Sequence, residues 1–167
     1  MAKVGIFYGS TTGNTENAAK QIAEQLGDAD VADIGWASLD DLVAYETLVL
    51  GSSTWGVGEL QDDWAELVGD LPNLDLSGKR VAFFGTGSQD MYPETFVDAL
   101  GILYDALRNS GAEFIGAWPV DGYDYVASQA EQNGTFVGLA LDDDGQAGLT
   151  LQRIRGWVAK LKAELAD

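Results

Sequence analysis

Residues 3–26 read KVGIFYGSTTGNTENAAKQIAEQL, and the run changes character twice. KVGIFYG, at 3–9, is rich in β-branched and aromatic residues and closes on Gly, which predicts a buried strand. Further on, Ala18, Ala19, Ile22, Ala23 and Leu26 form one apolar stripe, with Asn14, Glu16, Lys20 and Glu24 on the solvent side of the same helix. Between strand and helix lies GSTTGNT, small and hydroxylated. The same apolar form returns in TLVLG at 47–51 and RVAFFG at 80–85. Such near-continuous runs are typical of parallel strands covered on both faces. A strand near 31–34 and helices near 39–45, 62–70 and 94–109 complete the alternation. In the C-terminal segment Leu151, Ile154, Val158, Leu161 and Leu165 recur at helical steps, with Thr150 placed as N-cap. Strands alternating with helices predict an α/β fold with a parallel sheet and helices on both faces.

The last strand departs from this form. FIGAWPV at 114–120 and FVGLAL at 136–141 both read as strand, and the polar, turn-rich DGYDYVASQAEQNGT lies between them. The two runs read as one edge strand interrupted by a surface excursion. With 167 residues, no repeats and no linker-like composition, a single domain is expected.

Composition narrows the chemistry. Lys+Arg number 9 against Asp+Glu 27, a net charge of -18, which argues against nucleic acid and anionic membranes and favours basic protein partners. No Cys is present, which excludes disulfides and thiolate or iron–sulfur sites, and no His, the commonest base and metal ligand. The opening apolar run is too short for a signal-peptide core, and no segment approaches the ~20 apolar residues of a membrane span. A soluble cytoplasmic protein is expected.

The loop GSTTGNT sits where helix geometry leaves backbone N–H groups unpaired and the macrodipole is positive, so it forms an anion site before side chains are counted. Ser10, Thr11, Thr12, Asn14 and Thr15 add neutral donors, and Gly13 lets the backbone curl toward a ligand. Its spacing differs from the nucleoside-triphosphate loop and it lacks the three glycines of a dinucleotide loop, so one terminal phosphate monoester is the expected guest. The alternative is a polar turn that merely caps a helix. Ligands of open α/β sheets bind outside the carboxyl ends of the strands. There, GSSTWGVGELQDDW and GTGSQDMYPETF each offer one aromatic, Trp55 and Tyr92, among glycines. Taken singly each aromatic also reads as a packing residue; together, beside a phosphate loop, they point to a planar ring gripped between them.

These three loops together resemble those of the flavodoxins, and the interruption between 114 and 141 resembles the insertion of their long-chain group. The resemblance extends from Lys3 to the final helix and includes VDGYDYVASQAEQNGTFVGLALDDDGQ. It implies a doubly wound five-stranded parallel sheet of order 2-1-3-4-5 and non-covalent FMN. The activity implied is low-potential one-electron transfer between redox proteins, as a ferredoxin substitute cycling through quinone, semiquinone and hydroquinone. Ser10, Thr11, Thr12, Gly13, Asn14 and Thr15 would then hold the phosphate. Trp55 would cover the inner flavin face and Tyr92 the outer. Gly56, Val57 and Gly58 would form the turn that presents a carbonyl to flavin N5. Ser53, Thr54, Thr86, Gly87, Ser88 and Gln89 would line the ring and ribityl edges, with Asp144 near the ribityl chain. Gly56 stands where relatives often carry Asn, which lowers the steric cost of a flipped turn. Ser88 stands where relatives usually have Asp, and Met91 where they have Gly; Asp90 could restore the lost charge.

The partners implied are basic redox proteins such as ferredoxin-NADP reductase and photosystem I, met by a monomer; nitrogenase or a biosynthetic enzyme are further candidates. The acidic run Glu59, Asp62, Asp63, Glu66 and Asp70 reads either as a solvated helix face or as the docking surface. A rival from another class is an FMN-dependent NAD(P)H:quinone oxidoreductase, which needs an open flavin face that Trp55 and Tyr92 would occupy. A phosphorylated signalling receiver fails because the first loop lacks the acids that would bind Mg²⁺.

Overall fold

We describe residues 3–55 and 57–166 from a computed structural model. Strand β1 (Val4–Gly9) is buried throughout and leads into helix α1 (Asn14–Leu26). Strand β2 (Ala29–Asp33) follows, then a 3₁₀ turn (Ile34–Trp36) and the single-turn helix α2 (Leu39–Leu42). Strand β3 (Thr47–Trp55) folds back through the short antiparallel β4 (Glu59–Leu60) into α3 (Asp62–Leu67). Strand β5 (Arg80–Thr86) is followed by α4 (Asp98–Leu107) and the two-residue β6 (Glu113–Phe114). The excursion contributes β7 (Trp118–Pro119), β8 (Glu131–Gln132) and β9 (Thr135–Phe136). The chain then returns as β10 (Leu139–Leu141) and ends in α5 (Thr150–Leu165).

The main sheet runs β10-β5-β3-β1-β2, all parallel, which is the predicted order 2-1-3-4-5. Its fifth strand comes in two pieces on one edge of β5. Glu113 and Phe114 pair with Arg80 and Val81, and Leu139 to Leu141 pair with Phe84 to Thr86. The interruption read from the sequence is therefore present. Neither apolar run stays whole, however. Gly116 at φ 80, a conformation costly for any residue with a Cβ, turns the first run out of the sheet. Trp118–Pro119 and Thr135–Phe136 then pair with each other in a separate antiparallel sheet, β7-β9-β8.

Alternation along the strands separates two cores. Phe7, Leu48, Leu50, Val81 and Phe83 face α3, α4 and the excursion, where they meet Trp64, Leu100 and Phe136. Ile6, Tyr8, Val49, Ala82 and Phe84 face α1 and α5, where they meet Ile22, Ile154, Trp157 and Leu161. Both buried tryptophans are pinned by their indole N–H: Trp64 donates to Gly51 O and Trp157 to Gly116 O, each at 2.7 Å.

Two helix starts differ from expectation. Thr150 is the first residue of α5, not its N-cap; a 3₁₀ turn (Ala147–Leu149) precedes it, and its hydroxyl donates to Asp143 Oδ1 at 2.5 Å. The helix expected over 94–109 begins only at Asp98, because Val97 takes a left-handed conformation, φ 46, that ends the preceding turn. Among the described residues no helix is long and apolar enough to cross a membrane.

Candidate functional site

Helix α1 starts without a side-chain cap. Its N-cap is Gly13, held at φ 98 with open space where a Cβ would stand, and the first intrahelical bond runs from Asn17 N to Gly13 O at 2.9 Å. The N–H groups of Asn14, Thr15 and Glu16 are those that helix geometry leaves over. They lie beside Ser10, Thr11 and Thr12, whose loop is closed by Gly13 N donating to Ser10 Oγ at 3.1 Å. Positive dipole, spare N–H groups and hydroxyls thus coincide, as anion binding requires. Thr15 turns inward instead: fully buried, its hydroxyl meets Thr86 Oγ1 at 3.0 Å, tying the start of α1 to the end of β5.

The ends of β3 and β5 form the neighbouring wall. Trp55 is 37% exposed and Tyr92 39%. The Trp55 indole is fixed by a 2.8 Å bond from Nε1 to Ser53 Oγ, and the Tyr92 turn is closed by Tyr92 N donating to Ser88 O at 3.0 Å. Ala99 N at the start of α4 donates to Thr54 Oγ1 at 3.2 Å, which fixes that side of the cleft. Next to it, the Asp98 carboxylate is 2% exposed and packs against Gly58, where an added Cβ would lie 2.5 Å from Asp98 Oδ2. Burial pushes the Asp98 carboxyl above the ordinary carboxylate range, against the lowering effect of the bonds it accepts from Gln129 N and Nε2.

Between these loops opens a cleft of about 280 Å³. The structure brings ten of the predicted residues to it: Thr12, Asn14, Ser53, Thr54, Trp55, Thr86, Gly87, Ser88, Tyr92 and Asp144. Met91 and Asp143 join them. Asp143 lies beside the predicted Asp144 in the turn after β10, and nothing in DDDG alone distinguishes which of its acids faces the cleft. Ser10, Thr11 and Gly13 form the adjoining loop without lining the cleft, and Val57, strongly exposed, and Gly58 lie in the turn behind Trp55. Gly56 lies outside the described residues.

The Gln89 side chain does not line the cleft. It is buried among the turns below, where Nε2 donates to Asp142 Oδ2 at 2.8 Å and Gln146 Oε1 at 2.9 Å, and Oε1 accepts from Asp124 N. It therefore holds three loops together, a task its sequence position gave no sign of. Asp90 does not line the cleft; a Cβ added at Gly145 would meet its carboxylate at 3.0 Å, so it faces the 142–146 turn. The negative charge at the cleft wall comes from Asp143 and Asp144, and among the described residues no Lys or Arg lines it.

The site can therefore take an anionic tail at a helix terminus and a flat ring between two aromatics, in a field left negative. Comparison with known proteins gives the same picture. The family model described as Flavodoxin matches residues 6–157. The chain is 49% identical to the flavodoxin of Trichodesmium erythraeum over 98% of both chains, and 48% identical to flavodoxin 1 of Escherichia coli K12 over 99% of this chain and 96% of that one. Among solved structures it is similar to Fusobacterium nucleatum flavodoxin bound to flavin mononucleotide, with a TM-score of 0.92 and 32% identity over 98% of this chain and 99% of that one. Sheet order, loop chemistry and full-length similarity agree: the chain belongs to the flavodoxin family.

Proposed function

We propose that this chain is a low-potential electron carrier that holds FMN non-covalently and passes single electrons between redox proteins. The observation that carries the reading is the cleft itself, with an uncapped helix terminus on one side and two half-exposed aromatics on the other. The loop Ser10 to Thr15 would take the phosphate through its N–H groups and hydroxyls, with Thr15 acting through its bond to Thr86. Trp55 and Tyr92 would flank the ring, Ser53, Thr54, Thr86, Gly87 and Ser88 would line its edges, and Asp144 would stand near the ribityl chain. Bound FMN supplies two successive one-electron steps.

The chain's own part is to orient the ring, exclude water from its faces and bias its charge. The indole bond to Ser53 and the Ser88–Tyr92 turn limit how far the aromatics can swing. Asp143 and Asp144, without a cation among the lining residues, disfavour added negative charge in the cleft and so keep the second electron at low potential. The same occupied faces leave little room for a hydride donor to stack, which disfavours the quinone-reductase reading. Basic redox proteins, with ferredoxin-NADP reductase and photosystem I as the candidates, would dock on the acidic α3, in the cytoplasm and with the carrier as a monomer. The test is to load the apoprotein with FMN and add NADPH and a quinone. No turnover without a reductase, together with two resolved one-electron steps in a potentiometric titration, is expected. Rapid unaided turnover overturns the reading.

A further inference from the structure

The most exposed aromatic of the molecule is not at the cleft. Trp36, at the end of the 3₁₀ turn after β2, is 91% exposed. Scattered exposed apolar residues are ordinary, but the placement of this one is not. The turn that carries it is fixed: Ile34 is buried, Gly35 N donates to Asp33 Oδ1 at 2.8 Å, and Ala37 N donates to Ile34 O at 3.3 Å. The indole is thus presented on a rigid support, which reduces the entropy lost when it is covered.

Its surroundings are acidic. From Gln21 to Gly78 the sequence contains thirteen Asp or Glu and no Lys or Arg. The Asp63 carboxylate of α3 packs against the turn, 3.0 Å from where a Gly35 Cβ would stand. From there the contacts continue to the cleft: Gln61 Nε2 donates to Asp63 Oδ2 at 3.0 Å and to Thr11 Oγ1 of the phosphate loop at 3.5 Å. The turn that carries Trp36, Asp63 of α3 and the phosphate loop beside the cleft are therefore linked through the buried Gln61 side chain.

We propose that Trp36 is the apolar anchor of the docking face, inserted into a partner protein at an apolar pocket rimmed by Lys and Arg. This rests on the carrier reading above and extends it. Charge selects the occupant: a second copy of this chain would bring a like-charged face against it, whereas a basic partner gains steering from the acids and desolvates one large ring. Indole rings surrounded by polar contacts are the usual high-energy positions of small interfaces. The arrangement suits a complex that must form fast and part readily, since one anchor adds affinity without a large contact area.

The experiment measures, by stopped flow at low ionic strength, the second-order rate of electron transfer to the FMN-loaded protein from ferredoxin-NADP reductase reduced with NADPH. Trp36→Ala is expected to lower that rate about tenfold and Trp36→Phe by much less. Both variants should keep the flavin spectrum and both potentials, because Trp36 does not line the cleft. A parallel Asp62→Lys/Asp63→Lys variant separates the failures. If it slows transfer while Trp36→Ala stays within about twofold of the parent, the anchor is overturned and the acidic docking face stands. If neither variant slows transfer, both fall. If sedimentation shows a dimer that Trp36→Ala dissociates, the occupant is a second copy and the proposal is overturned.

Discussion

Asp98 shows how one buried carboxylate can set the shape of a binding loop. It sits at the N-terminus of α4, where the dipole favours a negative charge, yet burial holds its carboxyl above the ordinary range. Its two oxygens accept from Gln129 N at 2.8 Å and Gln129 Nε2 at 3.1 Å, while its body packs against Gly58 behind Trp55. The sign of the pH effect follows from linkage. A carboxyl with a folded-state pKa above its unfolded value binds more protons when folded, so its contribution is fullest at low pH and is lost as pH rises through the folded pKa. Wild-type apoprotein should therefore gain stability relative to Asp98→Asn as pH falls from 7 toward the ordinary carboxylate range. Urea unfolding at several pH values measures this; a constant difference between the two proteins would remove Asp98 from the account.

At the scale of elements, the excursion between β6 and β10 behaves as a part of the core more than as an appended loop. Phe136 of β9 is fully buried, its ring 6.0 Å from Phe96, 5.1 Å from Tyr123 and 5.3 Å from Tyr125. The Arg153 guanidinium of α5 lies 3.9 Å from the centre of the Tyr123 ring. Burial pushes the Tyr123 phenol up to about 12, with Arg153 opposing, so it stays protonated and donates to Ala140 O. Phe136→Ala should then cost about 3–5 kcal/mol, the usual price of emptying a phenylalanine site. Equilibrium unfolding of the apoprotein checks it, and a loss below about 1 kcal/mol would mean that the excursion only rests on the surface. The main strands, α1 and the cleft residues on strand ends were legible because periodicity and local loop chemistry are written in adjacent residues. The small antiparallel sheet was not, since FIGAWPV and FVGLAL are each divided between two sheets by contacts distant in sequence. The partners of Gln89 were not legible for the same reason. A glutamine beside a flavin loop has no local mark that its partners are Asp142, Gln146 and Asp124.

At the scale of the whole molecule, the two ends of the strands differ in charge. Lys3, Lys79 and Arg80 stand at the feet of β1 and β5, at the strand ends opposite the cleft, where Lys3 and Arg80 share a surface hollow with Glu46 and Leu165 and Arg80 pairs with Glu113 at 3.3 Å. The cleft end carries Asp143 and Asp144 at the wall and the acids of α3 beyond, and among the described residues no basic one lines the cleft. A net charge of -18, with acids and no basic residue among the described residues lining the cleft, orients an approaching basic partner and places the bound ring in a negative potential. An acid ~12 Å from the ring at an effective dielectric of ~40 adds about 0.7 kcal/mol of repulsion to a second negative charge. Because ~1.4 kcal/mol corresponds to about 59 mV for one electron, a few such acids lower the second potential by several tens of millivolts. Salt screens these interactions: the Debye length falls from about 30 Å at 0.01 M to about 3 Å at 1 M. The second one-electron potential of the FMN-loaded protein should therefore rise by tens of millivolts across that range, and Asp143→Asn/Asp144→Asn should raise it at low salt while weakening the salt dependence. Spectroelectrochemistry at fixed pH measures both. A potential that is constant to about 5 mV would mean that stacking by Trp55 and Tyr92, not the field of the acids, sets the reducing power of the bound flavin.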